Sequence, residues 1–195
     1  MAYKIDQYIL KNCLDFQPKI IKSNLKKAAV MCLLIYKENQ FRVVLTKRSE
    51  YLNNHAGQIS FPGGKIEKFD KTPLDAALRE TYEEVGVKAT DVEIIGKLDE
   101  IITGTKFHIS PFVGIIVNNC NFKLNLEEVS ELIFLPTNIL LNKSNHSHVD
   151  KKFDNIKYNF RQIKYLNHFI WGATATILNG FAKRVWSYQK KNIRI

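Results

Sequence analysis

The sequence predicts a mixed α/β domain, on three observations. Two β-rich runs are joined by a short polar link, one helix has both of its ends marked, and a closing segment carries apolar residues at helical spacing. In chain order, "YKIDQYILKNCL" sets Ile5, Tyr8, Ile9 and Leu14 at helical spacing, which gives a short amphipathic helix. The runs 28–36 and 41–46 flank "KENQ" and read as a hairpin. From Ser49 to Gly64 polar residues and glycines make a long loop ending in a tight "PGG" turn, and loops of that length are usually functional. Thr72 is suited to cap a helix that begins at Pro73, and Gly86 is suited to end it. "VEIIGKL" and "SPFVGIIV" read as strands around a Gly-containing loop at 103–106. "EVSELIFLPTNIL" supplies a short strand or turn and a helical start, and the polar stretch 141–159 reads as a surface excursion. In "IWGATATILNGFAKRVW", Ile170, Thr174, Ile177, Leu178, Phe181 and Val185 share one helical face. With no repeats and no linker, residues 1–195 read as a single domain.

Composition narrows the function classes. Apolar residues are 45% of the chain and charged residues 25%, the balance of a globular protein with a core of ordinary size. The formal charge of +10, from 29 Lys+Arg against 19 Asp+Glu, favours anionic partners: nucleic acid, an acidic membrane surface or a polyphosphate metabolite. A solvated basic surface explains the same excess. The pairs Lys151-Lys152 and Lys190-Lys191 are too short to be nucleic-acid arms. Cys13, Cys32 and Cys120 show no CxxC spacing, which argues against a disulfide framework or a structural zinc site, and Cys32 and Cys120 read as core residues. No signal peptide and no membrane-length apolar run are present, so the expected location is cytoplasmic.

The segment that carries chemistry is "GGKIEKFDKTPLDAALRETYEEVGV". At about 100° per residue, Glu83 lies roughly 60° to one side of Glu80 and Glu84 roughly 40° to the other, while Leu74, Leu78, Thr81 and Val85 form the buried back. Arg79 is spaced to pair with Asp75 or Glu83. Like-charge neighbours cost only a few tenths of a kcal/mol each, so a solvated acidic face stands as the alternative on energy alone. The glycine turn, the loop acid Asp70 and the capped helix point instead to a hard-cation site, since Mg²⁺ takes carboxylate and carbonyl oxygens when it also binds phosphate.

This segment resembles the Nudix box, a spaced pattern of glycine, an acid, Arg-Glu-apolar-x-Glu-Glu-x-Gly and an apolar residue. Gly64, Asp70, Arg79-Glu80, Glu83-Glu84, Gly86 and Val87 take its places, so the box spans 64–87. Asp70 stands for the usual glutamate, with eight residues before Arg79 where seven are usual, and Thr81 replaces an apolar residue. The resemblance implies the Nudix α/β/α sandwich, with a mixed sheet between helices, and hydrolysis of a nucleoside diphosphate linked to another group. It implies Mg²⁺ or Mn²⁺ held by Glu80 and Glu84, with Glu83 completing the cluster or acting through bound water and a carbonyl of Gly63 or Gly64 as a further ligand. Arg79 would orient a glutamate. The general base stays open among Glu83, Glu127 and Glu128, and for the last two a plain helix-end or strand-end charge is the alternative.

The segment upstream of the box, 45–64, is similar to the motif of the coenzyme A pyrophosphatase branch. Leu45, Thr46, Arg48, Ser49, Gly57 and Phe61-Pro62-Gly63-Gly64 match it, His55 and Gln58 also look like that branch, and "FIWGATATIL" is like its closing helix. Asn53 stands where the branch has an arginine, which leaves Lys47 or Lys65 to replace its charge if that arginine binds substrate. The implied substrate contacts are Arg48, Ser49, His55, Gly57, Phe61 and Lys65. Arg48 and nearby lysines would take the 3′-phosphate, or Arg48 is an ordinary surface ion pair. His55 donates to substrate or serves as a loop hydrogen-bond partner, and Phe61 stacks on the base or packs beneath the turn. The expected reaction cuts coenzyme A, or its acyl or oxidised derivatives, to 3′,5′-ADP and 4′-phosphopantetheine products. The alternative within enzymes is a Nudix hydrolase for NADH, ADP-ribose or a damaged nucleotide; the alternative outside them is a non-catalytic nucleotide- or RNA-binding Nudix-fold domain. A small-molecule partner is expected, with no nucleic acid and no membrane, and the oligomeric state stays open.

Overall fold

The computed structural model describes residues 5–14, 17–52, 55–118, 120–153 and 156–192, and the side chains of 151–158 lie outside that description. Asn53 also lies outside it. The expected hairpin is present as β1 (Lys26–Lys37) and β2 (Gln40–Arg48), and its two turn residues, Glu38 and Asn39, both have positive φ, at 53° and 60°. That is the conformation whose twist matches the flanking strands. β7 (Phe107–Ile116) pairs with β1 in parallel, and β5 (Val92–Lys97) pairs with β7 antiparallel, so the sheet is mixed. The short β6 (Ile101–Ile102) also lies against β7, and β8 (Val129–Pro136) lies against β2.

The loop expected from Ser49 to Gly64 contains two short strands, β3 (Ile59–Ser60) and β4 (Gly63–Lys65). β3 pairs with β2 and β4 pairs with β1. One edge of β1 is taken by β7 and one edge of β2 by β8, so β3 and β4 occupy the edges that β1 and β2 turn toward each other. The hairpin splits there, and the Phe61-Pro62-Gly63 link fills the split, with Met31 N–H donating to the Pro62 carbonyl at 2.8 Å. The wedge sets Gly63 and Gly64 within the sheet.

Alternation along β1 sends Ala29, Met31 and Leu33 to one face and Cys32 and Leu34 to the other. The first face is covered by α2 (Pro73–Val85) through Ala76, Ala77 and Val85. The Thr72 hydroxyl accepts from Asp75 N–H at 3.2 Å while the Asp75 carboxylate accepts from Thr72 N–H at 2.9 Å, and Gly86 closes the helix at φ 75°. The second face carries α1 (Gln7–Cys13), α3 (Thr137–Leu141) and α4 (Gly172–Asn192), and Thr174, Ile177, Leu178, Phe181 and Val185 of α4 are buried as expected. Helices therefore lie on both sides of a mixed sheet. No described helix is long and apolar enough to cross a membrane.

Two expectations are corrected. α1 buries Leu10 and Cys13, with Ile5 and Leu14 at its ends, whereas Tyr8 is exposed; its short pattern fits more than one face. Residues 141–159 do not form an irregular excursion. β9 (His146–Phe153) and β10 (Ile156–Tyr165) pair antiparallel, and β11 (His168–Trp171) joins them in a second sheet that buries Ile163 and Ile170. Cys32 is fully buried, and Cys120 packs partly buried beside α2's cluster.

Candidate active site

α2 runs over β4 and aims its three glutamates differently. Glu84 is buried at 2% exposure, the Glu80 side chain is 16% exposed, and the Glu83 side chain is 50% exposed. The Glu80 carboxylate rests on Gly64, where an added Cβ would stand 2.4 Å from its Cδ. Gly63 has φ 147°, and a Cβ there would stand 2.4 Å from the Ala29 carbonyl oxygen and 2.6 Å from Val30 Cα. The two glycines thus serve different ends: Gly63 lets β4 close on β1, and Gly64 leaves room for a carboxylate. Gly64→Ala is expected to leave the melting temperature nearly unchanged, because the far end of Glu80 can move, while lowering turnover at least tenfold. Gly63→Ala is expected to destabilise by about 1–3 kcal/mol, because its clash is with backbone. Thermal melts set beside turnover rates separate the two.

Arg79 organises the outer half of the site. Its Nε and Nη2 donate to the two oxygens of Asp70 at 3.0 Å each, and Nη1 donates to Glu80 at 2.9 Å and Glu83 at 2.8 Å. Nη2 also meets the Lys65 carbonyl at 3.2 Å, and the guanidinium lies 5.3 Å from the Phe69 ring centre. The loop acid is therefore the two-pronged partner that fixes Arg79, and the extra residue before Arg79 does not prevent that pairing. Arg79 thus holds Glu80 and draws Glu83 outward to itself. Among the described residues no three His, Cys, Asp or Glu side chains converge as a ready-made ion cage.

The inner half is electrostatically unbalanced. Burial pushes the Glu84 carboxyl from 4.5 up to about 8; Arg48 and a hydrogen bond from the Gly63 backbone oppose the rise, while Glu80 and Glu128 add to it. The buried Oε2 of Glu84 has no hydrogen-bond partner among the described residues. Burial also raises Glu80, with Arg79 opposing and Glu83 and Glu128 adding. A hidden, unpartnered carboxylate oxygen beside a second carboxylate, with glycine backbone alongside, suits a divalent cation. Glu80, Glu84 and the Gly63–Gly64 backbone fit the metal that the sequence implies.

The remaining sequence candidates divide. Glu128 is brought to the site by a loop stitched to the end of α2: Lys123 N–H donates to the Val85 carbonyl at 2.9 Å, and Asn125 N–H to the Glu84 carbonyl at 3.0 Å. Glu127 is exposed. Arg48 sits at a bulge in the β2–β8 pairing, and its buried Nε has no partner among the described residues. Ser49 is buried and its N–H donates to the Glu128 carbonyl at 2.8 Å, so it joins two loops and does not line an open surface. Phe61 is 2% exposed within the core; it packs beneath the turn, and stacking on a base is corrected. His55, at φ 59°, faces the Gln58 side-chain oxygen at 3.0 Å. Gly57, at φ 67°, lies under the Glu50 carboxylate, which a Cβ would meet at 2.6 Å, and Lys47 pairs with Glu50 at 3.3 Å. The Lys65 side chain is exposed.

Residues 25–162 match the model of the NUDIX domain family. The chain belongs to the Nudix family. It is 36% identical over 160 residues to a protein of Yersinia pestis (strain Pestoides F) named "Uncharacterized Nudix hydrolase NudL", covering 82% of this chain and 80% of that one. The Nudix fold is shared with solved structures at low identity. A MutT/nudix family protein from Enterococcus faecalis aligns with TM-score 0.56 and 15% identity, over 88% of this chain and 66% of that one. A MutT protein from Methanosarcina mazei Go1 aligns with TM-score 0.51 and 18% identity, over 88% and 99%. The protein is accordingly a Nudix hydrolase of a pyrophosphate substrate, in a family whose members generally need divalent ions such as Mg²⁺ or Mn²⁺.

Proposed function

We propose that this Nudix hydrolase cleaves coenzyme A, or its acyl or oxidised derivatives, to 3′,5′-ADP and 4′-phosphopantetheine products. The observation that carries the reading is the wedge. The 45–64 segment, whose residues resemble the coenzyme A branch, leads through β3 and β4 directly under Glu80 and Glu84, so the substrate-type motif and the carboxylates belong to one site. Glu80, Glu84 and a Gly63 or Gly64 carbonyl would hold Mg²⁺ or Mn²⁺, and the ion would supply polarisation of the bridging phosphate and charge to offset that developed in an in-line displacement. Arg79 keeps Glu80 aimed over Gly64. Glu128, whose charge acts on both Glu80 and Glu84, takes the proton of the attacking water. Glu83 tethers Arg79.

Arg48 lies close enough to Glu84 for its charge to oppose the effect of burial, which favours an interaction with the diphosphate over the distant 3′-phosphate. Lys47 and Lys65 are then the cations left for the 3′-phosphate. The test compares Arg48→Ala with wild type on coenzyme A and dephospho-coenzyme A. Equal reductions of about 10-fold to 100-fold in kcat/KM on both are expected when one charge-assisted hydrogen bond to the diphosphate is removed. A reduction confined to coenzyme A would assign Arg48 to the 3′-phosphate instead. Wild-type preference for NADH or ADP-ribose over coenzyme A would replace the substrate reading.

A further inference from the structure

Across β1 from the glycine wedge, on the strand edge occupied by β7, a second polar cluster takes no part in the site above. Its centre is Glu100, whose side chain is 5% exposed. Oε2 accepts from Ile21 N–H at 2.7 Å and faces His108 Nε2 at 2.8 Å, while Oε1 accepts from the Ser110 hydroxyl at 2.9 Å and from Lys97 Nζ at 2.7 Å. His108, also buried, turns its Nδ1 to the Ser23 hydroxyl at 3.0 Å. Ser23 itself is half-buried, in the extended segment that precedes β1.

The tautomer follows from the partners. Burial works against charge on Glu100, yet its hydrogen bonds from Ile21, Lys97, His108 and Ser110 outweigh that and hold its carboxyl down to about 2. An ionised carboxylate only accepts, so the proton between it and His108 sits on Nε2. In the neutral form of the ring the lone pair lies on Nδ1, where the Ser23 hydroxyl, 3.0 Å away, is placed to donate to it. A serine that donates to an imidazole whose far side is fixed by a carboxylate is the arrangement that activates hydroxyl nucleophiles. Lys22, Lys26 and Lys27 are exposed around it, and Lys27 is the β1 partner of His108 across the pairing with β7. These cations favour an anionic reagent.

We propose that Ser23 is a base-assisted nucleophile that accepts an acyl group from a donor whose leaving group bears phosphate. In that step the Ser23 Oγ–carbonyl bond forms, its proton passes to His108 Nδ1, the bond from the carbonyl to the leaving group breaks, and the departing anion takes the proton from His108. The products are O-acyl-Ser23 and the protonated leaving group, with no change of oxidation state.

The folded protein is treated separately with acetyl phosphate and with a fluorophosphonate serine reagent, and adducts are read by intact mass and peptide mapping. Expected is one adduct on the peptide containing Ser23 from each reagent, absent in Ser23→Ala, whose remaining acetyl-lysine adducts give the background. Glu100→Gln keeps its oxygen on Ile21 N–H and Nε2, turns its amide toward Ser110, and removes at almost constant volume the charge that would steady His108 once it takes the Ser23 proton. Labelling of that variant is expected to slow tenfold or more. No Ser23 adduct in the wild type above the Ser23→Ala background would overturn the proposal, as would an undiminished rate in Glu100→Gln. Should Glu100→Gln not fold, His108→Gln carries the same comparison.

Discussion

A Glu84→Gln protein is expected to lose diphosphate hydrolysis by about 10³-fold or more while folding at least as firmly as its parent. The two effects share one origin. Glu84 is buried, its Oε2 lacks a partner among the described residues, and its carboxyl is raised from 4.5 to about 8, chiefly by burial. Without metal, that group is a liability in the folded state. Its folded pKa lies above its unfolded one, so between about pH 4.5 and 8 the folded state holds more protons than the unfolded state. The contribution of Glu84 to stability therefore falls as pH rises through that window, by an amount on the order of a few kcal/mol. Glutamine has no proton to lose, and the slope is expected to flatten in the variant. Added Mg²⁺ is expected to restore stability to the wild type at pH 8 and to do far less for Glu84→Gln. Urea titrations in chelator at several pH values, with and without Mg²⁺, measure all of this. A wild-type stability that loses no more than that of Glu84→Gln between pH 5 and 8 without metal would contradict it.

The second large effect is expected at Arg79. The Asp70 side chain is only 3% exposed, and both of its oxygens are held by this guanidinium. Arg79→Ala leaves that carboxylate without its counter-charge, though Glu67 N–H still donates to Oδ2 at 2.8 Å, at a cost of about 3 kcal/mol; the 21% exposure of Arg79 argues for the lower end of such losses. Arg79→Lys is expected to recover less than half, because one ammonium cannot reproduce the fork to Asp70 together with hydrogen bonds to Glu80 and Glu83. The hydrogen bond from Arg79 is also the leading cause that keeps the Asp70 carboxyl below its ordinary range. That contribution is fully present above the unfolded carboxyl pKa of 3.8 and is lost as pH falls through the lower folded value. Arg79→Ala should therefore show its full deficit at neutral pH and converge on wild type in strong acid. In urea titrations the midpoint is expected to fall with little change in slope, and turnover should fall as well, since Glu80 loses its anchor.

What the sequence made legible was local. Thr72, Pro73 and Gly86 mark the helix ends because capping chemistry depends on neighbours a few residues away. The hairpin was readable because two polar residues between β-rich runs can take the left-handed turn that joins strands. The wedge of β3 and β4 was not readable, since strand pairing is a long-range choice and "FPGG" looks locally like a turn. The helical wheel gave the angles among Glu80, Glu83 and Glu84 but not which way the helix faces, so three equivalent-looking carboxylates proved buried, half-buried and exposed. Asp70 was legible as a loop acid, but its two-pronged hold on Arg79 depends on a fold-back over nine positions. Glu128 was a candidate only by its charge, and it reaches the site because Asn125 and Lys123 bond to the carbonyls that end α2. The β9–β10 pair was hidden because "HSHVDKKF" lacks the alternation that marks a half-buried strand.

Product analysis by mass spectrometry tests the proposed reaction most directly. Purified protein with Mg²⁺ or Mn²⁺ would be given coenzyme A, NADH, ADP-ribose and a nucleoside triphosphate separately, beside Glu84→Gln. The expected result is metal-dependent release of 3′,5′-ADP and 4′-phosphopantetheine from coenzyme A, with the variant silent and the other substrates cut at least tenfold more slowly. Intact coenzyme A alongside cleaved NADH or ADP-ribose would contradict the proposed substrate, and full activity in Glu84→Gln would contradict the site itself.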